Sequence, residues 1–173
     1  MALTLLRHAA LHPKYQKRYN GWTDISIEPS LFDAKIAAPL CKQRFDHIYS
    51  SDLMRCQQTL SYMEMTPYIT DKRLREVRFK VHIEGLNYQE VSQRADFDTS
   101  LLEDHKAWHN YICAEHYEAF SRRIRTFLAD LPKNKEILVC THGGVMQHML
   151  LLLHLPPQQI GYLDWTRIEH YEL

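Results

Sequence analysis

Two strand-like runs in this chain end on a histidine. Leu3-Thr4-Leu5-Leu6 leads into Arg7-His8, and Ile137-Leu138-Val139-Cys140 leads into Thr141-His142-Gly143-Gly144. Open α/β sheets bind ligands in the crevice outside the carboxyl ends of their strands, so histidines far apart in sequence can meet there. The small residues Ala9-Ala10 after His8 let the backbone pass close to a ligand. Arg55 belongs to the same reading, because the segment from Asp46 to Thr59 sets it in the first turn of a helix that leaves a strand. A helix N-terminus favours anions, and a guanidinium adds a forked donor matched to phosphate oxygens. Each signal alone has a plainer explanation. With 11 histidines in the chain an Arg-His pair arises by chance, and Asp52 and Asp46 are ready ion-pair partners for Arg55.

Positioning these groups calls for alternating strands and helices. Residues 3–6, 47–50 and 137–141 read as short buried strands, apolar and bounded by turn or charge signals. Helical spacing covers 31–45 after Pro29-Ser30, 53–63 after Ser51-Asp52, 115–131 before Pro132, and 144–155 before Pro156-Pro157. Residues 166–173 alternate apolar and charged side chains, as an edge strand does. The pattern predicts a three-layer α/β/α domain with a mainly parallel central sheet and helices on both faces. Residues 78–110 break it, being polar and irregular but carrying Tyr88, Phe97 and Trp108, and are expected to form a small lid-like insertion. No repeat or low-complexity tract marks a linker, so residues 1–173 are read as one domain.

Composition narrows the function classes. Lys plus Arg and Asp plus Glu number 21 each, so no global field attracts nucleic acid or an acidic membrane, and any anion must be met locally. The first apolar stretch is broken by Arg7, and no run is long enough to span a bilayer. A soluble cytoplasmic protein is expected. Cys41, Cys56, Cys113 and Cys140 are scattered without CxxC spacing, which points to reduced buried thiols.

Taken together the motifs resemble those of the histidine phosphatase superfamily, the phosphoglycerate mutase-like proteins. Leu5-Leu6-Arg7-His8-Ala9 is similar to the opening pattern, and Arg18-Tyr19-Asn20-Gly21-Trp22-Thr23-Asp24 to the next. The signature at Ser51 through Thr59, the acid-bearing segment Leu74-Arg75-Glu76-Val77-Arg78-Phe79, the stretch from Glu115 to Arg123-Ile124, and Thr141-His142-Gly143-Gly144-Val145 complete the set in order. The resemblance implies that His8 is the nucleophile and forms a phosphohistidine. It implies that Arg7, Arg55 and His142 hold the phosphoryl oxygens, and that Glu76 is the general acid that protonates the leaving alcohol and then activates water. The plainer reading of Glu76 is a surface carboxylate paired with Arg75 or Arg78. No metal and no cofactor are implied. Fixed cationic donors around an in-line nucleophile are what phosphoryl transfer requires.

The pattern departs from the family at Ala9, usually glycine, at Ala10, often glutamate, and at Lys14, often the asparagine that contacts phosphate. Lys14 is therefore a candidate substitute cation, and Arg18, Asn20 and Gly21 are candidates for binding the rest of the substrate. His105 and His109 stand four apart, yet no third ligand accompanies them and a metal site is not expected. Tyr15, Tyr19, Trp22 and Trp108 are either core or pocket aromatics. The short chain favours the phosphatase branch, with a small phosphorylated metabolite as substrate and α-ribazole 5'-phosphate the specific case. Mutase-type transfer and a non-catalytic binding protein of the same fold are the alternatives. A monomer or a homodimer fits the sequence equally.

Overall fold

The structure, a computed structural model, describes residues 2–169. A sheet of five strands, β1 (Ala2–Arg7), β2 (His47–Ser50), β3 (Ile69–Thr70), β4 (Glu136–Thr141) and β5 (Trp165–Glu169), has the order β3-β2-β4-β1-β5. All neighbours are parallel except β1 and β5. The apolar runs are continuous because both faces are covered. Leu3, Leu5, Ile137 and Val139 join one buried cluster, while Leu6, Leu138 and Cys140 face another. Fully burying each such leucine or isoleucine contributes about 1.5–3 kcal/mol.

One face is covered by α5 (Tyr117–Ala129) and α6 (Gly143–Leu152), through residues such as Phe120, Ile124, Phe127, Val145 and Met149. The other is covered by α1 (Ala34–Cys41) and α2 (Met54–Tyr62), through Ala37, Leu40, Cys56 and Leu60. The three-layer arrangement expected from the sequence is present. Helix α1 is shorter than the 31–45 stretch expected. Asp33 caps its first turn by accepting from Lys35 N at 2.8 Å, Leu31 belongs to a preceding 3-10 turn, and Pro39 removes a donor near the end.

The 78–110 region is more regular than its sequence suggests. It contains α3 (Tyr88–Ser92), closed by an Asn87/Glu90 capping box, and the start of α4 (His105–Ile112), capped by Asp104. Trp108 is the hub of an aromatic cluster with Tyr19, Tyr88, Phe97 and Tyr111. The ends of the region are tied side by side, Lys80 N donating to Ile112 O at 3.0 Å and Ala114 N to Arg78 O at 2.8 Å. Of the expected terminal strand, Trp165–Glu169 is seen; positions 170–173 lie outside the described residues. Among the described residues no helix is long and apolar enough to cross a membrane.

Candidate active site

Register decides which side chains meet. β1 and β4 are hydrogen-bonded neighbours with Arg7 opposite Thr141, so the next residue of each strand, His8 and His142, must emerge side by side. Their rings lie edge to face, with centroids 5.3 Å apart. On the other side of β4, Ser50 pairs with Cys140, which sets Ser51 beside His142, and α2 then starts at Met54 and carries Arg55 inward.

His8 is buried and its Nδ1 lies 2.8 Å from Ala9 O. A carbonyl can only accept, so Nδ1 carries the proton and Nε2 keeps its lone pair. Burial, then the charges of Arg55 and Arg7, hold the pKa of His8 well below the usual histidine range. Arg7 donates from one terminal nitrogen to Ile160 O at 2.8 Å and stacks 4.1 Å from the Tyr162 ring centroid. Its Nε is buried without a hydrogen-bond partner among the described residues. A buried, unsatisfied guanidinium N–H is costly, and an anion at this point would satisfy it.

Arg55 is almost fully buried, and neither Asp52 nor Asp46 pairs with it. It is held by the carbonyls of the loop that precedes Asp24, donating to Thr23 O at 3.0 Å and to Gly21 O at 2.8 Å, while its Nε donates to His142 Nδ1 at 3.1 Å. His142 Nε2 lies 2.9 Å from Ser51 Oγ. With Nδ1 accepting, Nε2 bears the hydrogen and donates it to Ser51. Burial, then Arg55 and His8, keep this ring neutral by lowering its pKa well below the usual value. Both His142 nitrogens are thus engaged inside the protein, a different set of partners from the phosphate contacts the resemblance implies.

Glu76 follows a 3-10 turn and is not paired with Arg75, which makes a two-pronged ion pair with Asp52 at 2.7 Å on both prongs. The Glu76 carboxylate accepts from Val77 N at 3.0 Å and from Gly144 N, at the start of α6, at 3.1 Å. A Cβ on Gly144 would come within 2.5 Å of Glu76 Oε1, so only glycine admits the carboxylate there.

Arg7, His8, Arg55 and Glu76 line one cavity of about 350 Å³, whose far wall includes Tyr19, Phe79, Trp108 and Ile112. Arg18 and Asn20 also line it; one terminal nitrogen of Arg18 donates to Gly85 O and Glu90, and the Asn20 amide nitrogen donates to Tyr15 O. Two expectations meet a different geometry. Lys14 lies outside this cavity, its Nζ over the Tyr15 ring at 4.8 Å, because the 3-10 turn at Pro13–Tyr15 points it outward. Gly21 is buried behind Arg55 and does not line the cavity; a Cβ there would meet Val77 O at 2.6 Å. Sequence reasoning missed Lys17, His105, His109 and Tyr162, which line the cavity, and Ser51, which holds His142. The i, i+4 spacing of His105 and His109 was the available signal for those two, and the Ser51 position in the Arg55 signature was the signal for the last.

A family model for the histidine phosphatase superfamily (branch 1) matches residues 3–172, and the chain belongs to that superfamily. It is 43% identical over 60 residues to a 2,3-bisphosphoglycerate-dependent phosphoglycerate mutase of Pseudoalteromonas atlantica, a match covering 34% of this chain and 26% of that one. It is 24% identical over 162 residues to the human 6-phosphofructo-2-kinase/fructose-2,6-bisphosphatase 3, covering 92% of this chain and 31% of the relative. The chain therefore spans about a quarter to a third of the length of these curated relatives. Among solved structures, TTHB049 from Thermus thermophilus superposes with a TM-score of 0.75 at 23% identity, covering 100% of this chain and 98% of that one. A phosphoserine phosphatase from Entamoeba histolytica, solved with 3-phosphoglyceric acid, superposes with a TM-score of 0.76 at 25% identity, covering 96% and 89%.

Proposed function

We propose that this protein is a metal-independent phosphomonoesterase that works through a phosphohistidine on a small phosphorylated metabolite. The observation that carries this reading is that buried His8 and Arg7 line one cavity, with His8 Nδ1 turned to Ala9 O and the buried Nε of Arg7 without a partner among the described residues. His8 Nε2 attacks phosphorus, and the phosphorus–oxygen bond to the alcohol breaks as Glu76 supplies a proton to the departing oxygen. Water then attacks the phosphohistidine, the phosphorus–nitrogen bond breaks, and Glu76 takes the water proton. Arg7 and Arg55 stabilise the charge on the transferring group from fixed positions. His142 acts as a neutral neighbour that holds Arg55 in place.

The organic part of the substrate is met by Tyr19, Phe79, Trp108 and Ile112, and the 78–110 segment serves as its lid. An apolar aromatic wall suits a heteroaromatic leaving group, which makes α-ribazole 5'-phosphate the first metabolite to assay. Phosphatase action is favoured over mutase action because two of the positions that would grip a mutase substrate are withdrawn, Gly21 lying outside the cavity with its N–H donated to Glu84 and Lys14 lying outside it as well. The test is hydrolysis of p-nitrophenyl phosphate with chelator present, together with a search for an acid-labile phosphoenzyme. Turnover and phosphoenzyme are expected, and His8→Ala should abolish both, a loss of at least about 10³-fold. Absence of turnover across pH 5 to 8 would point to the binding protein instead.

A further inference from the structure

The backbone carbonyl of Glu76 accepts two hydrogen bonds, from side chains far apart in the sequence. Trp22 Nε1 donates at 2.8 Å from the loop that also holds Arg55, and an Arg123 terminal nitrogen donates at 3.1 Å from α5. Arg123 is itself fixed. Its guanidinium makes a fork-on-fork pair with Glu115 at 2.6 and 2.8 Å, in which each side chain is only 15% exposed, and another of its nitrogens donates to Arg73 O at 2.5 Å. The guanidinium groups of Arg75 and Arg78 lie over the Trp22 ring, 4.7 and 5.4 Å from its centroid. A carbonyl gripped by two rigid donors fixes the peptide plane that precedes Val77, and Val77 N and Gly144 N then set the direction of the carboxylate.

We infer that Trp22 and the Arg123–Glu115 pair are positioning residues for Glu76, and that they matter to proton delivery rather than to phosphate capture. The inference rests on the phosphatase reading above. Neither Trp22 nor Arg123 lines the cavity, so neither touches the reacting atoms. A charged fork of this kind tolerates little error, since lysine keeps the charge but loses the planar geometry.

The experiment compares Trp22→Phe and Arg123→Lys with wild type on 2,4-dinitrophenyl phosphate, whose leaving group needs no proton, and on an alkyl phosphate, whose leaving group does. Each variant should lose about tenfold or more in kcat/KM on the alkyl ester and less than about twofold in kcat/KM on the dinitrophenyl ester, because kcat/KM reports the phosphorylation step alone and leaves out the water step common to both esters. Phosphoenzyme formation from the dinitrophenyl ester should be unchanged. In a Glu76→Gln background neither change should cost anything further on the alkyl ester, because the group they aim is gone. Equal losses on both esters, no loss on either, or full additivity with Glu76→Gln overturns the inference while wild-type turnover keeps the phosphatase reading intact. A wild-type protein without turnover or phosphoenzyme removes both. Should Arg123→Lys fail to fold, Trp22→Phe decides alone, since it keeps an aromatic ring and loses the indole N–H at a residue that is 37% exposed.

Discussion

At the scale of single residues, burial changes what the two histidines are. The arginine beside His8 is visible in the sequence, and so is its tendency to disfavour a second positive charge. The larger cause of the lowered pKa is the burial of the ring, which depends on β4, α2 and the Tyr162 loop closing round it. The consequence is measurable in the pH dependence of catalysis. In the proposed mechanism His8 attacks only when neutral, and its pKa lies well below 6.5, so that mechanism requires activity to be retained as pH falls through 6.5 and lost only at the lowered value. We expect the acid limb of kcat/KM on an aryl phosphate to lie clearly below pH 6.5; a limb at or above it would contradict the environment described for His8. The partners of His142 were less legible. Its proximity to His8 follows from strand ends, whereas its engagement with Arg55 and Ser51 depends on the stagger between β2 and β4.

At the scale of elements, the Asn20–Asp24 loop shows how a recognised motif carries structural work that its residue types do not announce. Read as sequence, Arg18, Asn20 and Gly21 are candidate substrate contacts, and Arg18 and Asn20 do line the cavity while Gly21 does not. Folded, the loop is a bracket: the carbonyls of Gly21 and Thr23 hold Arg55, Trp22 holds Glu76, Asp24 caps Met54 N at 2.7 Å, and Glu84 anchors Gly21 N at 2.8 Å. No spacing rule could reveal this, because Val77, Phe79 and Glu84 approach Gly21 only after the chain has folded. We expect Gly21→Ala to destabilise the fold by about 1–3 kcal/mol, since the new methyl group meets backbone oxygen that cannot yield easily. Urea unfolding checks this, and an unchanged midpoint would mean that the loop relaxes freely. The short elements were invisible for a related reason. Strand β3 has only Ile69–Thr70, both exposed, and α3 and α4 are held by caps and by Trp108 rather than by a long apolar stripe.

At the scale of the whole molecule, the alternation of strands and helices was legible because both faces of the sheet are covered, and covered strands are apolar throughout. The same burial makes stability depend on pH. The pKa values of His8, His142 and His109 are lowered, and that of His148 is lowered to about 4, chiefly by burial and then by His105 and His109. The unfolded chain binds protons at these histidines near pH 6.5 while the folded chain does not, so stability is fully present above that pH and is lost as pH falls towards the lowered values. Melting temperature should fall between pH 6.5 and 4, and His148→Leu, which also removes a buried Nε2 without a partner among the described residues, should make that fall shallower. A variant with an equally steep decline would exclude His148 as a source.

The two backbone bonds that join Arg78 to Ala114 and Lys80 to Ile112 have a further consequence. They seal the segment between them into a closed cassette, while the strand tips that carry His8 and His142 lie outside it. Glu84 inside it anchors the N–H of Gly21, whose carbonyl holds Arg55, so an exchange meant to reshape the cavity wall must keep Glu84 and draw its new length from the residues beyond it.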